Sequence, residues 1–306
     1  MTANTVGYLL HSGIERLRLA GSESPRLDAE LLLGHVLGVE RTSLISHSEA
    51  PVGADAAARY EASLERRITG EPVAYIRGFK EFHGLALASD ARALIPRPET
   101  ELLVDLVIGW LVDRLVAAPR PAGTPSIRVI DVGTGAGTIA IALAAELRRR
   151  RIDSDVSVIA TDASPEALQL ARENAVGHGV ADRIEFLLGD LVPWDATLFE
   201  VVVANLPYIP TDAIDGLPVA ASFEPRSALD GGPDGLDLIR RLVDQLGRVL
   251  RADGIAFLEI GSDQGQAVLS EVAQRLPAAA ADVLPDLAGL DRVVRIQPGR
   301  PAGPGR

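Results

Sequence analysis

Hydrophobic residues in the N-terminal part of the chain recur every three to four positions, without the alternation of hydrophobic and polar residues that marks a strand. Three groups carry this spacing: Leu10, Ile14 and Leu17; Leu32, Leu33, Val36 and Leu37; and Tyr60, Leu64 and Ile68. The pattern predicts a small all-helical domain over residues 1–78. Such a bundle fits two roles equally well, a structural cap and a module that docks a partner.

From Ile127 onward, short β-branched runs alternate with helical stretches. The runs that predict buried strands are Ile127 to Val132, Val156 to Thr161, Ile184 to Leu188, Glu200 to Ala204 and Ile255 to Ile260. Their alternation with helices predicts an α/β fold with a doubly wound, mostly parallel sheet and right-handed crossovers. Two later runs, Ala281 to Leu284 and Arg292 to Gln297, predict an antiparallel pair at one edge of the sheet.

Glycine and proline punctuate the stretch between these two patterns. Residues 79–95 contain Gly84 and weakly alternating hydrophobic positions, which predict a short hairpin that links two domains. Pro96 and Pro98 then favour an extended entry into a helix that begins near Pro98. The second predicted domain covers residues 96–298, and residues 299–306 are rich in glycine and proline, which predicts a disordered tail.

Composition narrows the function classes. The chain has 306 residues, 47% of them hydrophobic and 24% charged, as in ordinary globular proteins. No apolar run approaches the roughly 18 residues that span a bilayer, and the N-terminus has no secretory pattern. The absence of cysteine excludes disulfides, thiolate metal sites and a cysteine nucleophile, and makes the cytoplasm the default compartment. A net charge of −12 argues against stable nucleic-acid binding.

A glycine-rich turn follows the first predicted strand. Gly133, Thr134, Gly135, Ala136 and Gly137 come directly after Asp131 and Val132 and precede a helical pattern. Glycines at such a turn let the backbone approach a ligand and direct helix amides at it. The spacing is neither the dinucleotide fingerprint nor a phosphate-binding loop. It suits a ligand that has an amino-acid end and no pyrophosphate.

Two acids follow the next two predicted strands. Asp162 lies where an acid accepts hydrogen bonds from ribose hydroxyls, and Asp190 lies in the equivalent place one unit later, where it or its neighbouring backbone could bind an adenine amino group. Each acid alone also fits a helix cap or a solvated loop. Together with the glycine turn at a third strand end, they predict an S-adenosylmethionine site.

The stretch Asn205-Leu206-Pro207-Tyr208 follows the strand predicted at Glu200 to Ala204. The side-chain oxygen of Asn205 and the carbonyl of Leu206 or Pro207 can accept the two hydrogens of a planar NH2 group, while Tyr208 stacks on its plane. Held in this way, a poorly nucleophilic amide nitrogen can be aimed at a sulfonium methyl group. No metal ligand set is predicted. The alternative interpretation is a proline turn that closes a strand above a buried tyrosine.

Several longer stretches match one known family. They are residues 78–84, Leu94 to Glu101, Asp131 to Gly137, Asn205 to Tyr208, Phe223 to Pro225, Ala228 with Leu229, Gly231 to Leu236, Glu259 to Gly261 with Gln264, and Asp291 to Val294. On these stretches the chain resembles the bacterial protein-(glutamine-N5) methyltransferases that modify class-1 peptide chain release factors. The likeness extends over nearly the whole chain.

The resemblance implies a class I S-adenosylmethionine-dependent methyltransferase fold with a small helical N-terminal domain that engages the release factor. It implies methylation of the side-chain amide (N5) of the glutamine in the factor's Gly-Gly-Gln motif, a protein methylation in translation termination. Catalysis then involves Asn205, Pro207 and Tyr208, and the glutamine binds Asn205, Leu206, Pro207 and Tyr208. The cofactor-binding residues expected are Gly133, Thr134, Gly135, Ala136, Gly137, Asp162, Asp190, Leu191, Asn205 and Thr100.

The chain departs from the family pattern at three positions. Leu206 replaces the first proline of Asn-Pro-Pro-Tyr, although Pro207 still favours an extended Leu206. His83 stands where family members usually carry an aromatic residue, and Leu191 stands where some members have an aromatic residue against adenine. Three other functions share the central motif or the cofactor site: methylation of a ribosomal-protein glutamine, methylation of DNA adenine after base flipping, and nucleotide binding without catalysis.

Overall fold

The computed structural model describes residues 4–117, 126–193 and 198–299. The chain divides into two compact units, one formed by Met1–Lys80 with Leu217–Phe223 and the other by Glu81–Gly216 with Glu224–Arg306. The tail expected to be disordered, residues 299–306, lies outside the described residues except for Gly299.

The first unit is a helical bundle. Its helices are α1 (Val6–Leu19), α2 (Pro25–Leu37), α3 (Arg41–Ser46), α4 (Ala54–Ile68) and α5 (Val73–Arg77). The three hydrophobic groups of the sequence lie on α1, α2 and α4, and their central residues Leu17, Leu32, Leu33, Tyr60 and Leu64 are buried together. An ion pair between Asp28 and Arg67, 2.8 Å long, links α2 to α4. The short helices α3 and α5 were not predicted, because five or six residues are too few to show the hydrophobic periodicity of a helix.

The segment Leu217–Phe223 belongs to the helical unit, although the predicted boundary at residue 96 assigned it to the second domain. Gly70 explains its place. Gly70 has a φ of 97°, and a Cβ added there would lie 2.6 Å from a methyl carbon of Val219. The absent side chain of Gly70 therefore makes room for Val219, and this packing joins residues far apart in sequence.

Along the chain, the boundary between the units falls within β1 (Phe79–Phe82), which pairs with β2 (Leu85–Ala88) in a two-stranded sheet. A 3-10 turn at Pro98–Thr100 then leads into α6 (Glu101–Ala117). The paired prolines thus precede a helix, as the sequence predicted. Regular α-helix starts at Glu101, three residues after the predicted position.

A seven-stranded sheet forms the centre of the second unit, in the order β5-β4-β3-β6-β7-β9-β8. Its strands are β3 (Ile127–Val132), β4 (Val156–Asp162), β5 (Ile184–Leu188), β6 (Phe199–Ala204), β7 (Leu250–Glu259), β8 (Ala280–Pro285) and β9 (Asp291–Gln297). The first five are parallel, and β9 pairs antiparallel with both β7 and β8. The predicted doubly wound sheet with an antiparallel edge pair is confirmed.

Alternate residues of each strand face opposite cores. On β6, Val201 and Val203 pack in the core that contains α6 and α7 (Thr138–Arg150). Val202 and Ala204 pack in the core that contains α9 (Asp237–Val249) and α10 (Gly265–Arg275). Helices therefore cover both faces, and each strand reads as a continuous apolar run because both of its faces are buried.

Strand order reverses between β3 and β6, which are hydrogen-bonded neighbours with Val132 opposite Ala204. The chain proceeds from β3 to β4 and β5 on one side and later to β6 and β7 on the other. A crevice opens at the carboxyl ends of parallel strands where the order reverses. The fold thus brings the loops after β3, β4 and β6 to one edge.

Candidate active site

The glycine loop, Gly133 to Gly137, connects β3 to α7. Gly133, Gly135 and Gly137 have φ values of 73°, 56° and 83°, in the left-handed region that favours glycine. The fully buried carboxylate of Asp131 holds this loop, because its Oδ2 accepts hydrogen bonds from the Thr134 hydroxyl at 2.6 Å and from the Ala140 amide at 3.1 Å. Burial raises the pKa of Asp131 to about 7.

Asp162, the last residue of β4, ties two loops together. One carboxylate oxygen accepts the Gly135 amide at 2.8 Å, and the other accepts the Ser164 amide at 2.9 Å. Ser164 in turn caps α8 (Pro165–Gly177), since its hydroxyl accepts from the Ala167 amide. Asp162 therefore fixes the glycine loop, and each of its oxygens keeps a lone pair for a ligand hydroxyl.

Asp190 and Leu191 follow β5 and line the same cavity. The Asp190 carboxylate is mostly exposed and pairs with Arg241 on α9. Leu191 is buried and has a φ of 62°, which is unusual for a residue with a branched side chain. This left-handed turn places an aliphatic side chain on the cavity wall where the sequence predicted an adenine contact.

Asn205 follows β6 directly, and its orientation is set by Thr100. Its side-chain nitrogen donates a hydrogen bond to the Thr100 hydroxyl oxygen at 2.9 Å. Because the nitrogen is engaged, the side-chain oxygen of Asn205 is the end of the amide that can accept from a ligand. Thr100 is buried, so the Asn205 amide is oriented by a protein group rather than by solvent.

We call Asn205 to Tyr208, where the sequence predicts that an amide binds, the amide-binding loop. Its residues after Asn205 lie close to other parts of the chain. Leu206 is buried, and a Cβ added to Gly133 would lie 2.9 Å from a methyl carbon of Leu206. A Cβ added to Gly231 would lie 2.7 Å from the Pro207 carbonyl oxygen, and one at Gly235 only 2.3 Å from the Tyr208 carbonyl oxygen. Glycines at these positions therefore let the amide-binding loop lie against two neighbouring segments.

Tyr208 lies behind the loop. Its carbonyl accepts a hydrogen bond from Gln264 at 2.9 Å. Its partly buried ring packs against the core that contains α9 and α10. Burial raises the pKa of Tyr208 to about 12, so the hydroxyl is protonated at neutral pH.

These residues surround a cavity of about 180 Å³ at the sheet edge. The predicted site residues that line it are Thr100, Gly133, Thr134, Gly135, Ala136, Asp162, Asp190, Leu191, Asn205, Leu206 and Pro207. Gly137 and Tyr208 are not among the lining residues. A Cβ added to Gly137 would lie 2.6 Å from Ile141 and 3.1 Å from Ala171, so this glycine serves the packing of α7 against α8.

Glu224 and Arg97 were assigned no role from the sequence, although both lie in the quoted stretches. The buried Glu224 carboxylate accepts the Ile95 amide at 2.9 Å and the Arg97 guanidinium at 2.6 Å. Ile95 and Arg97 line one wall of the cavity, and Pro225 lines another. The ion pair therefore fastens two walls together. An acid between Phe223 and Pro225 was the signal available in the sequence.

Glu259, the last residue of β7, is a second acid without a predicted role. It is 1% exposed and faces the hydroxyls of Thr100 and Tyr208. Neither of its carboxylate oxygens completes a hydrogen bond of ordinary geometry within the described part of the chain. Burial raises the pKa of Glu259 to about 7. A charged residue at the end of an otherwise apolar strand was its sequence signal.

The cavity presents different chemistry along its length. The glycine loop offers the start of α7 to an anionic or amino-acid group, Asp162 offers carboxylate oxygens to hydroxyls, and Leu191 offers an apolar wall to a flat ring. Asn205 offers an amide oxygen at the point where β3 and β6 meet. These groups fit S-adenosylmethionine, which has an amino-acid end, a ribose and an adenine.

Two features are absent from residues 4–117, 126–193 and 198–299. No helix there is long and apolar enough to span a bilayer. No cluster of three or more His, Cys, Asp and Glu side chains there is arranged to hold a metal ion.

Comparison with known proteins adds names to this geometry. The family profile of the PrmC N-terminal domain matches residues 8–78, and that of a methyltransferase domain matches residues 124–283. The release factor glutamine methyltransferase of Moorella thermoacetica is 42% identical over 290 residues, which cover 94% of this chain and 96% of the relative. The protein of the same name from Deinococcus radiodurans is 40% identical over 287 residues, with the same two coverages.

A solved structure with the same fold is the hMettl16 catalytic domain in complex with the MAT2A 3'UTR hairpin 1. It superposes with a TM-score of 0.52 at 18% identity, covering 83% of this chain and 85% of that one. At this identity the likeness concerns the methyltransferase fold alone.

Proposed function

Because the chain belongs to the release factor glutamine methyltransferase family, we propose that it methylates the side-chain amide nitrogen (N5) of the glutamine in the Gly-Gly-Gln motif of class-1 peptide chain release factors, with S-adenosylmethionine as the methyl donor. The observation that carries the proposal is the bond between Asn205 and Thr100, since it turns an amide oxygen toward the cavity beside the glycine loop.

The residues that would hold the donor come from three strand ends. The glycine loop would bind the amino-acid end, Asp162 the ribose hydroxyls, and Leu191 with the backbone after Asp190 the adenine. Bound there, S-adenosylmethionine supplies a methyl group on a positively charged sulfur, together with a neutral leaving group. The Glu224 and Arg97 pair would keep the cavity walls in place around it.

The amide-binding loop would act on the acceptor. The side-chain oxygen of Asn205 and the carbonyl of Leu206 or Pro207 would each accept one hydrogen of the glutamine NH2 group. With both hydrogens held, the nitrogen lone pair points out of the amide plane toward the methyl group, and orientation supplies most of the rate. The nitrogen forms its bond to the methyl carbon as the sulfur–carbon bond breaks, and it then gives up one of its two protons to water. Tyr208 would help to position the loop backbone that holds the substrate, since its carbonyl is fixed by a hydrogen bond from Gln264.

The helical domain, residues 1–78, would engage the release factor. This proposal rests on the match of residues 8–78 to the PrmC N-terminal domain. The net charge of −12 favours a protein partner over the phosphate backbone of a nucleic acid. The cysteine-free chain and a translation-factor substrate together make the cytoplasm the expected place of reaction.

The test is mass spectrometry of a purified class-1 release factor after incubation with the enzyme and labelled S-adenosylmethionine. We expect one methyl group on the glutamine of Gly-Gly-Gln and none on a factor in which that glutamine is replaced by alanine. Asn205→Ala should lower kcat by about 100-fold or more while the protein stays folded. Methylation of a ribosomal protein or of DNA adenine instead, under matched conditions, would overturn the substrate assignment.

A further inference from the structure

Thr100 stands between Asn205 and Glu259. Its hydroxyl oxygen accepts a hydrogen bond from the Asn205 side-chain nitrogen at 2.9 Å, and the same hydroxyl faces the Glu259 carboxylate. Thr100 is 3% exposed and Glu259 is 1% exposed, and neither Glu259 oxygen has a hydrogen-bond partner of ordinary geometry in the described part of the chain. Glu259 is therefore a buried carboxylate with unused acceptor positions beside the Thr100 hydroxyl. Thr100 ends the turn that precedes α6, Asn205 directly follows β6, and Glu259 is the last residue of β7. Thr100 and Asn205 line the cavity, whereas Glu259 does not.

The hydrogen-bond donors and acceptors of this row are constrained. A threonine hydroxyl has one proton to give and lone pairs to receive with. Because Thr100 receives from Asn205, its own proton needs an acceptor on the other side. An ionised carboxylate only accepts hydrogen bonds, and Glu259 is the carboxylate placed to accept one from the Thr100 hydroxyl. Contacts of this kind are often long in a free enzyme and tighten when substrate binds.

We infer that Glu259 is a positioning residue for methyl transfer: by accepting a hydrogen bond from the Thr100 hydroxyl, it fixes the Asn205 amide with its nitrogen toward Thr100 and its oxygen toward the glutamine that receives the methyl group. This inference rests on the proposed function for the identity of the acceptor. Without a group at this place that only accepts hydrogen bonds, the Thr100 hydroxyl can donate to the Asn205 oxygen instead. The Asn205 amide can then turn by 180°, so that its NH2 group faces the NH2 group of the glutamine. Two hydrogen-bond donors would then face each other, and the glutamine would not be held.

Four groups around Glu259 set its protonation. Burial is the largest influence and raises its pKa to about 7, and nearby Glu99 raises it further, whereas the Thr100 hydroxyl, Arg292 and the Tyr208 hydroxyl lower it. Arg292 is itself paired with Asp286 at 3.2 Å, which limits how strongly it can hold Glu259 in the ionised form. The protonated carboxyl can donate its own hydrogen to Thr100, whereas the ionised carboxylate only accepts, so the form that must receive the Thr100 hydrogen bond becomes dominant as the pH rises through neutrality.

The orientation of the Asn205 amide can be observed without measuring catalysis. The chain contains three asparagines, Asn4, Asn174 and Asn205. Protein labelled with 15N-asparagine gives one side-chain NH2 signal pair for each, and Asn205→Asp identifies the pair of Asn205. We expect this pair to shift with a midpoint near pH 7, and the shift to vanish in Glu259→Gln and in Thr100→Val. A titration that persists in Glu259→Gln would overturn the inference.

Kinetics provide the second measurement. Thr100→Val should lower kcat on the order of ten-fold, the effect of losing about one hydrogen bond. Thr100→Ser, which restores a hydroxyl, should regain most of that loss. In wild type, kcat should rise between pH 6 and 8 with an apparent pKa near 7, and Glu259→Gln should lack this step.

The outcomes separate two failures. A wild-type enzyme that leaves the release-factor glutamine unmodified contradicts the proposed function, whatever the NMR titration shows. A wild-type enzyme that methylates it, with Thr100→Val and Glu259→Gln matching wild type in kcat and in pH profile, contradicts the positioning role alone. Circular dichroism and urea unfolding of each variant identify any that fail to fold, and Thr100→Ser then carries the comparison.

Discussion

The Gly135 amide donates a hydrogen bond to the Asp162 carboxylate over 2.8 Å, so the glycine loop after β3 is fixed by the last residue of β4. The sequence predicted that these two residues bind one ligand, and they also bind each other. Asp162 shapes the loop, and under the proposed function it also receives ribose hydroxyls.

Asp162→Asn keeps one oxygen acceptor, whereas Asp162→Ala keeps none. We expect the Kd for S-adenosylmethionine to rise about 10-fold or more in Asp162→Ala, since hydrogen bonds to a charged group are worth about 1.5 to 3 kcal/mol, and to rise less in Asp162→Asn. Isothermal calorimetry provides the measurement. Glu185→Gln, an exposed acid on β5, is the matched control. Equal, wild-type affinities in both Asp162 variants would refute the ribose assignment.

Leu206 and Pro207 test how the amide-binding loop is aimed. If Pro207 alone keeps Leu206 extended, Leu206→Pro should change kcat by less than about three-fold, whereas Pro207→Ala should lower it on the order of ten-fold because it frees the Leu206 backbone. Steady-state kinetics with a release-factor substrate give both values. The opposite ranking would show that the buried Leu206 side chain, rather than the backbone direction, sets the geometry.

The stability of the protein should depend on Glu259 with a definite sign. Burial raises the pKa of Glu259 in the folded state to about 7, above its value in the unfolded chain. The protonated carboxyl therefore favours the folded state at low pH, and this contribution is lost as the pH rises through about 7. Glu259→Gln should match wild type near pH 5 and exceed it at pH 8 by up to about 3 kcal/mol of unfolding free energy.

Urea unfolding at pH 5, 6, 7 and 8 measures this difference. Asp131 has a pKa raised in the same direction, but it is present in both proteins and cancels from the comparison. Glu185→Gln should show no such dependence on pH. A stability difference between Glu259→Gln and wild type that stays constant from pH 5 to 8 would show that Glu259 is ionised throughout.

Two glycines of the same loop should respond differently to alanine. Gly137→Ala places a Cβ 2.6 Å from Ile141 at a φ of 83°, so it should destabilise the protein by about 1 to 3 kcal/mol while the folded fraction binds donor normally. Gly133→Ala pushes on Leu206 and should lower kcat as well. Thermal unfolding and calorimetry distinguish these effects. Loss of donor affinity in well-folded Gly137→Ala would assign Gly137 a direct contact.

Strands of the central sheet were predictable because both of their faces are buried, which makes each a compact apolar run. The start of β7 was not predicted, because its first residues do not form such an apolar run. This strand begins at Leu250, but Arg251, Ala252 and Asp253 are exposed and polar or small, so the apolar signal starts only at Ile255. Packing against neighbouring elements extends β7 beyond what its own residues indicate.

The cavity residues that the sequence revealed are those that directly follow strands, because a strand end is a local signal. Glu224 acts through the backbone of Ile95, and Thr100 acts on Asn205, so each pair joins distant parts of the chain. A single sequence contains no local mark of such a partner. It shows only that an acid such as Glu259 interrupts an apolar run, without showing which hydroxyls it will meet.

The adjacency of β3 and β6 has a consequence for how the enzyme is made. During synthesis the glycine loop, Asp162 and Leu191 all emerge before β6, which must later add to the open edge of β3. Pairing of strands far apart in sequence is slow, because a long loop must close before any contact rewards it. A nascent chain that ends at Leu191 thus holds the groups proposed to bind the methyl donor but lacks Asn205. Under the proposed function, the residues that hold the acceptor amide are therefore made after the residues that bind the donor.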